Sequence, residues 1–488
     1  MVWQGNYSQV FIGGRWINSD SRDTLEVVSP FTEQVIATVP AGSKGDIDAA
    51  VTAARTALET GPWSRSTVED RIAVLQRLSS LFERNEDLLA TLVTDEMGCP
   101  ITLSTTLQSR GPRNNIDNYI DVARTYPFTS LTRSSNGNAL VVREPVGVVA
   151  AVIPWNAPQL VATQKIIPAL LAGCTVILKP SPETPLDSYL LAEMVAEAGF
   201  PDGVVNIVPA DRDVSEYLVS HPGVDKVTFT GSTAAGRRIA SVCGNDLRRV
   251  TLELGGKSAA VVLNDADLDT TIESLRTVSF RNSGQICSNK TRIIVSKSRE
   301  SELLDRLRAM VESYVVGDPT DPATQIGPLV TATQRSRVEG YIASGRSQGA
   351  TLVAGGGRPA GLNTGWFVEP TIFTGVDPSM VIAREEIFGP VVSVLTYEDE
   401  DQAVALANDS DYGLNGSVFT TDIDRGLSVA RRLRTGVVEL NGHPAGINAP
   451  IGGFKCSGIG REQGSEGFGA YTEIKSIGIS QALADTYA

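Results

Sequence analysis

Histidine is nearly absent: the 488-residue chain holds two. That argues against His-based acid–base catalysis and His-rich metal sites, and no metal is expected. The five cysteines, Cys99, Cys174, Cys243, Cys287 and Cys456, are scattered and odd in number, with no CxxC pair. Neither a zinc ribbon nor a disulfide framework is expected, and a reducing compartment, the cytoplasm, fits best. Positive charge is also short. Lys and Arg total 42 against 56 Asp and Glu, a formal net charge of −14. Such a chain repels phosphate backbones, so nucleic acid is not an expected partner. No apolar run is long enough to span a bilayer; the longest, near 166–178, contains Pro168 and Gly173. The opening MVWQGNYSQV has no basic stretch followed by an apolar core, so neither a signal peptide nor a membrane partner is expected.

What is present is ordinary in proportion, with 42% hydrophobic and 20% charged residues. At roughly 150 residues per domain, the length suggests about three domains. The first ~120 residues read mostly as helix. Ser43–Asp46 and Ser66–Glu69 have capping-box spacing, and Gly98 follows as a stop signal. From Val146 the period changes. VGVVAAVI (146–153), TVILK (175–179), VVNIV (204–208) and KVTFT (226–230) alternate with helical stretches. That alternation predicts βαβ units and a doubly wound parallel sheet. A second α/β block follows Gly255-Gly256: AAVVL (259–263), a helix near 267–284, TRIIV (291–295), a helix near 299–315 and VVSVLTY (391–397). Between strand-like runs, Asn136-Gly137 favours a two-residue hairpin turn, because both positions tolerate φ > 0. The segment reads as a surface loop or an oligomerisation arm, to which the tail YTEIKSIGIS could add a strand.

Several residues could carry chemistry, and each has a plainer reading. Cys287 follows small Ser283 and Gly284; it is a thiolate nucleophile or an inert buried cysteine. Glu253 lies among apolar residues before two glycines; it is a desolvated general base or a solvated strand-end acid. Asn156 follows Pro154-Trp155 at the end of a strand, where doubly wound sheets bind ligands. Its amide donates to an oxyanion or caps the next helix. Gly231–Gly236 joins a strand to a helix and is a phosphate cradle or a plain turn. Lys179 is a ribose or phosphate ligand or a solvated charge. The glycines at 355–357 read as a turn, and those of 452–460 show only flexibility on their own.

Taken in order, IPWN (153–156), LKPSPETP (178–185), FTGSTAAG (229–236), LELGGK (252–257), GQICS (284–288), EEIFGPV (385–391) and GGFKCSGIGRE (452–462) resemble the aldehyde dehydrogenase superfamily. The resemblance implies a dinucleotide-binding domain over 1–122 and 146–255, and a catalytic domain over 256–455. It implies a small β oligomerisation arm over 126–145 and 470–488, in a homodimer or homotetramer. It implies NAD as cofactor, with NADP possible, and a small-molecule aldehyde as substrate. Cys287 would be the nucleophile and Glu253 the general base. Asn156 would be the oxyanion donor, assisted by the Cys287 backbone N–H. Ile153, Pro154, Trp155, Lys179, Gly231, Ser232, Gly236, Leu254, Glu386 and Phe388 would hold the cofactor.

The chain also departs from the family pattern. Pro182 stands where many relatives carry a ribose-binding Glu, with Glu183 one position late, so discrimination against NADP is expected to be weaker. Ala157 and Gln164 stand where some relatives have aromatics, and Pro450-Ile-Gly-Gly replaces Pro-Phe-Gly-Gly. A substrate bulkier than acetaldehyde is therefore expected: medium-chain, aromatic or terpenoid, with Gln164, Asn441 or His443 available to a polar group. The rival readings are a thiol hydrolase using Cys287 and Glu253, a CoA-acylating relative, and a non-catalytic protein on the same fold. The dinucleotide-like segment argues against the first, retention of Glu253 against the second, and the intact Cys287, Glu253 and Asn156 against the third.

Overall fold

Short runs of Val, Ile, Leu and Thr build two parallel sheets in the computed structural model, which describes residues 5–487. Residues 1–4 and 488, the outer ends of the expected first domain and arm, lie outside the described residues. In the first sheet five parallel strands stand in the order Val205–Ile207, Thr175–Lys179, Val148–Val152, Lys226–Thr230, Arg249–Glu253. In chain order this is 3-2-1-4-5, and the order reverses between Val148–Val152 and Lys226–Thr230. Helices Pro158–Ala172, Leu186–Ala198, Arg212–Ser220 and Thr233–Asn245 connect the strands. Every residue of Val148–Val152 and Thr175–Lys179 is buried, because helices cover both faces.

The start of the chain differs from the expectation of helix. Gln9–Ile12 and Arg15–Asn18 form a hairpin that extends the first sheet antiparallel to Val205–Ile207. Its turn is Gly13-Gly14, at φ 63° and 77°, the two positive angles a primed hairpin turn needs. Thr24–Val28 and Val35–Pro40 pair as a second hairpin. Helix begins only at Lys44, where Ser43 and Asp46 make both bonds of a capping box. The next box falls one residue later than its expected place, on Thr67 and Asp70. Gly98 does close the helix Glu86–Met97, in left-handed conformation.

The second sheet has six parallel strands: Thr371–Thr374, Val391–Tyr397, Lys290–Ser296, Ser258–Val262, Asn415–Phe419 and Val437–Leu440. Thr351–Ala354 adds an antiparallel edge. The helix expected near 267–284 stops at Val278, because Asn282, Ser283 and Gly284 adopt left-handed backbone at φ 54°, 55° and 79°.

A separate three-stranded sheet joins Thr129–Ser134, Gly137–Pro145 and Thr472–Ile479. Its register pairs Ser134 with Gly137, so the turn is Ser135-Asn136 rather than Asn136-Gly137. None of these three turn residues has positive φ, so the primed turn expected of Asn-Gly does not form. The glycine-rich segment 452–460 is an ordered stitch rather than merely a flexible one. Phe454–Lys455 pairs with Tyr412–Gly413, while Gly458–Ile459 pairs with Leu252 and Glu253 of the first sheet.

Candidate active site

The carboxyl ends of the first sheet's strands face the loop that precedes Lys290–Ser296, and the chemically suggestive residues gather there. Glu253 is the last residue of its strand. The chain then passes so close to Cys287 that a side chain at Gly256 would meet the Cys287 carbonyl oxygen at 2.6 Å. Asn156 lies four residues beyond Val148–Val152, and its Nδ2 donates to the Gln285 carbonyl at 2.8 Å. The helix that follows is capped at Ala157 with no side-chain bond, so Asn156 is not a helix cap. A primary amide has two N–H donors. One goes to Gln285, and the other is free for a ligand.

Burial sets the protonation of the group. Cys287 is half-buried, and its thiol is pushed up to about 12 by burial and by the charges of Glu386 and Glu253. The backbone N–H groups of Cys287 and Ser288 act the other way. Glu253 is buried, and its Oε1 has no hydrogen-bond partner among the described residues. Burial, then the charge of Glu462, hold its carboxyl well above the usual range, with Lys165 and Arg461 pulling it down. Room for Oε1 comes from Gly452 at φ 145°: a side chain there would meet it at 2.7 Å.

Most of the residues expected around a dinucleotide lie at or just beyond the carboxyl ends of the first sheet's strands. Glu386 accepts from the Gly256 N–H at 2.9 Å, and burial pushes its carboxyl up to about 7. Phe388 packs edge-on to Trp155, with ring centroids 5.3 Å apart, and Gln334 holds the Phe388 carbonyl at 2.7 Å. Ile153 donates its N–H to the Lys179 carbonyl at 3.2 Å, and half-buried Pro154 leads into Trp155. Ser232 caps Thr233–Asn245 by accepting from Ala235 N, next to Gly231. The first-turn N–H groups there suit a phosphate. Gly236 lies under the Leu254 side chain.

Lys179 ends its strand buried, and burial lowers its ammonium to about 8. Its ammonium has no hydrogen-bond partner among the described residues and suits a ribose hydroxyl. The carboxylates of Glu183 and Asp211 both act on it, so the site beside Lys179 is more anionic than Pro182 alone suggests. These residues fit an adenine dinucleotide.

Pro158–Ala172 carries the substrate candidates. Ala157 caps it, and buried Gln164 lies on it. Asn441 is instead committed to structure: its amide bonds Thr420 N and Thr420 O, each at 2.9 Å. His443 is exposed on its loop. A buried ion pair was not legible in the sequence: Lys165 Nζ lies 2.5 Å from Glu462 Oε1, with both side chains almost wholly enclosed. Its one signal was a charged residue at each end, in an otherwise uncharged helix and in the GRE of GGFKCSGIGRE.

The model of the family described as "Aldehyde dehydrogenase family" matches residues 16–477. The chain belongs to the aldehyde dehydrogenase family. Its similarity to individual members is also extensive. A geranial dehydrogenase of Castellaniella defragrans is 47% identical over 473 residues, 97% of this chain and 98% of that protein. A crystal structure of a Mycobacterium tuberculosis aldehyde dehydrogenase with NAD+ superposes with a TM-score of 0.95 at 44% identity, covering 98% of this chain and 99% of that one. An aldehyde dehydrogenase C variant from Pseudomonas syringae, in complex with NAD+ and octanal, gives 0.93 at 40% identity over 96% of each chain. This aldehyde dehydrogenase is thus an NAD-dependent oxidoreductase that converts an aldehyde to a carboxylic acid.

Proposed function

We propose that Cys287 is the nucleophile, Glu253 the base that activates water, and Asn156 the side-chain donor to the oxyanion. The observation that carries this reading is their convergence: a thiol, a buried carboxyl with an unpartnered oxygen, and an amide with one free N–H meet at the strand ends. The thiol is protonated at rest, so its proton must leave as sulfur attacks the carbonyl carbon. Glu253, with its raised proton affinity, can receive it. The oxygen then carries the charge, and the free Asn156 N–H and the Cys287 backbone N–H face it. NAD, when bound, would supply the hydride acceptor, and Glu386 and Phe388 would hold its ribose and ring. Hydride loss leaves a thioester on Cys287. Glu253 first releases the thiol's proton to solvent; ionised again, it takes a proton from water as the hydroxyl attacks the thioester carbon, and the acid leaves as that proton returns to the sulfur.

The substrate is a medium-chain or bulky apolar aldehyde. Support comes from the small Ala157 and unbranched Gln164 in place of aromatics, and from the relatives named for geranial and crystallised with octanal. Each further methylene buried on that wall adds about 0.8 kcal/mol of binding. Kinetics with acetaldehyde, octanal, benzaldehyde and geranial test this. The expected kcat/KM is lowest for acetaldehyde, and Ala157→Phe should impair the larger substrates selectively. A highest kcat/KM for acetaldehyde would overturn the reading.

The enzyme acts as a homodimer or homotetramer through the sheet of 129–145 and 472–479, whose edge strand exposes Ile474 on one face and Ile477 on the other, at 65% and 43%. The cofactor domain, in the two segments 1–122 and 146–255, and the catalytic domain, 256–455, follow the two parallel sheets. Five free cysteines suit the reducing cytoplasm. Light scattering of the parent and of Ile474→Lys tests the assembly; an unchanged mass would remove that strand from the interface.

A further inference from the structure

Residues 101–125 do not run as one regular α-helix. Between Ser104 and Arg110 the winding loosens to a π-helix, and α geometry resumes at Gly111. Such segments are rare within helices and mark functional positions. This one delivers Gln108, wholly buried, whose Nε2 donates to the Asn156 carbonyl at 3.1 Å. A second amide reaches the same oxygen. Asn282, buried and held at φ 54°, donates its Nδ2 to the Asn156 carbonyl, also at 3.1 Å. Both lone pairs of one carbonyl are thus taken by side-chain amides.

The bonds close into a ring. Asn282 donates to Asn156, Asn156 donates to the Gln285 carbonyl, and Gln285 Nε2 donates to the Asn282 carbonyl at 3.2 Å. Gln285 is anchored in turn by accepting from Val330 N at 3.1 Å. The ring is not an economical way to fill a core. Gln108 Oε1 and Asn282 Oδ1 are both buried without a partner, so each amide carries a desolvation cost that an apolar side chain would avoid. Left-handed backbone at Asn282 and Ser283 adds strain. What these costs support is one orientation of the Asn156 peptide and amide.

We propose that Gln108 and Asn282 are positioning residues that clamp the Asn156 carbonyl and so aim the free N–H of its amide at the oxyanion. This rests on Asn156 being the oxyanion donor. A donor preorganised toward the developing charge raises the rate without tightening substrate binding. Loosening the clamp therefore lowers kcat and leaves KM and cofactor affinity alone.

The test is a double-mutant cycle between Gln108→Met and Asn156→Ala, read as the rapid-mixing rate of reduced nicotinamide formation from octanal. NAD affinity by fluorescence titration and Tm are measured alongside. Asn156→Ala is expected to lower the rate by about 10²–10³-fold. Gln108→Met is expected to lower it about tenfold, with KM and NAD affinity within about twofold of the parent, and to have no further effect in the Asn156→Ala background. Asn282→Gly, which keeps the backbone angle accessible, should behave like Gln108→Met. If Gln108→Met leaves the rate unchanged, or keeps its full effect when Asn156 is already Ala, the clamp is refuted and Gln108 acts on the fold alone. If Asn156→Ala itself leaves the rate unchanged, the oxyanion assignment fails first. Should Gln108→Met not fold, the Asn282→Gly cycle decides by the same outcomes.

Discussion

Replacing Gly452 by Ala tests the placement of Glu253 without touching it. The added methyl carbon would lie 2.7 Å from Glu253 Oε1, 2.8 Å from the Gly460 carbonyl oxygen and 2.9 Å from Arg461 Cδ. Favourable contact begins near 3.5 Å. The Gly460 oxygen belongs to the backbone and yields little, so the Glu253 carboxyl must retreat by roughly 0.8 Å, the shortfall from that contact distance. A displacement of about 1 Å in a catalytic group costs on the order of 10²-fold in rate. Strain at φ 145°, a glycine region, adds about 1–3 kcal/mol of destabilisation. The variant should therefore fold with Tm lowered by several degrees and kcat lowered about 10–100-fold. The loss should fall most heavily on thioester hydrolysis, where Glu253 is proposed to act on water. Rapid mixing with NAD and octanal should then show a burst of reduced nicotinamide before a slow steady state. A lowered Tm with parental kcat and no burst would refute the reasoning, because Glu253 would have moved without consequence.

The pH dependence of kcat should show an acidic limb above the ordinary carboxylate range, near ~4.3 for Glu. Burial and Glu462 raise the Glu253 carboxyl, and the base works only when ionised, so activity falls as pH drops through that raised value. Rates from pH 5 to 9 should lose this limb in Glu253→Gln; a limb that persists there belongs to another group. Lys165→Met leaves Glu462 buried and unpaired, which should cost about 3–5 kcal/mol by denaturant titration. It should also shift the acidic limb to higher pH, since Lys165 lowers the Glu253 value; unchanged stability and profile would contradict the pair's role. Neutralising the field on Lys179 by Asp211→Asn with Glu183→Gln should raise NADP relative to NAD in kcat/KM about tenfold, or ~1.4 kcal/mol. An unchanged ratio would mean that neither carboxylate senses the 2′-phosphate.

Local pattern carried much of the fold. TVILK and KVTFT coincide with their strands to the residue, because buried parallel strands are nearly continuous apolar runs bounded by turns. Gln9–Ile12 was missed because its pairing with Val205–Ile207 joins residues about 200 apart, although Gly13-Gly14 marked the turn. The break at Ser279–Gly284 was hidden because Asn282 and Ser283 take left-handed backbone that nothing local demands. Cys287, Glu253 and Asn156 were legible as candidates through the motifs around them. Lys165, Glu462, Gln108 and the role of Asn282 were not, since each acts through a partner distant in the chain.

The covalent step at Cys287 is best tested by intact-protein and peptide mass spectrometry of the Glu253→Gln enzyme, acid-quenched during turnover of octanal with NAD. An octanoyl adduct confined to the peptide carrying Cys287, absent from Cys287→Ala, is expected. Accumulation of reduced nicotinamide with Cys287 unmodified, or undiminished turnover by Cys287→Ala, would contradict the account.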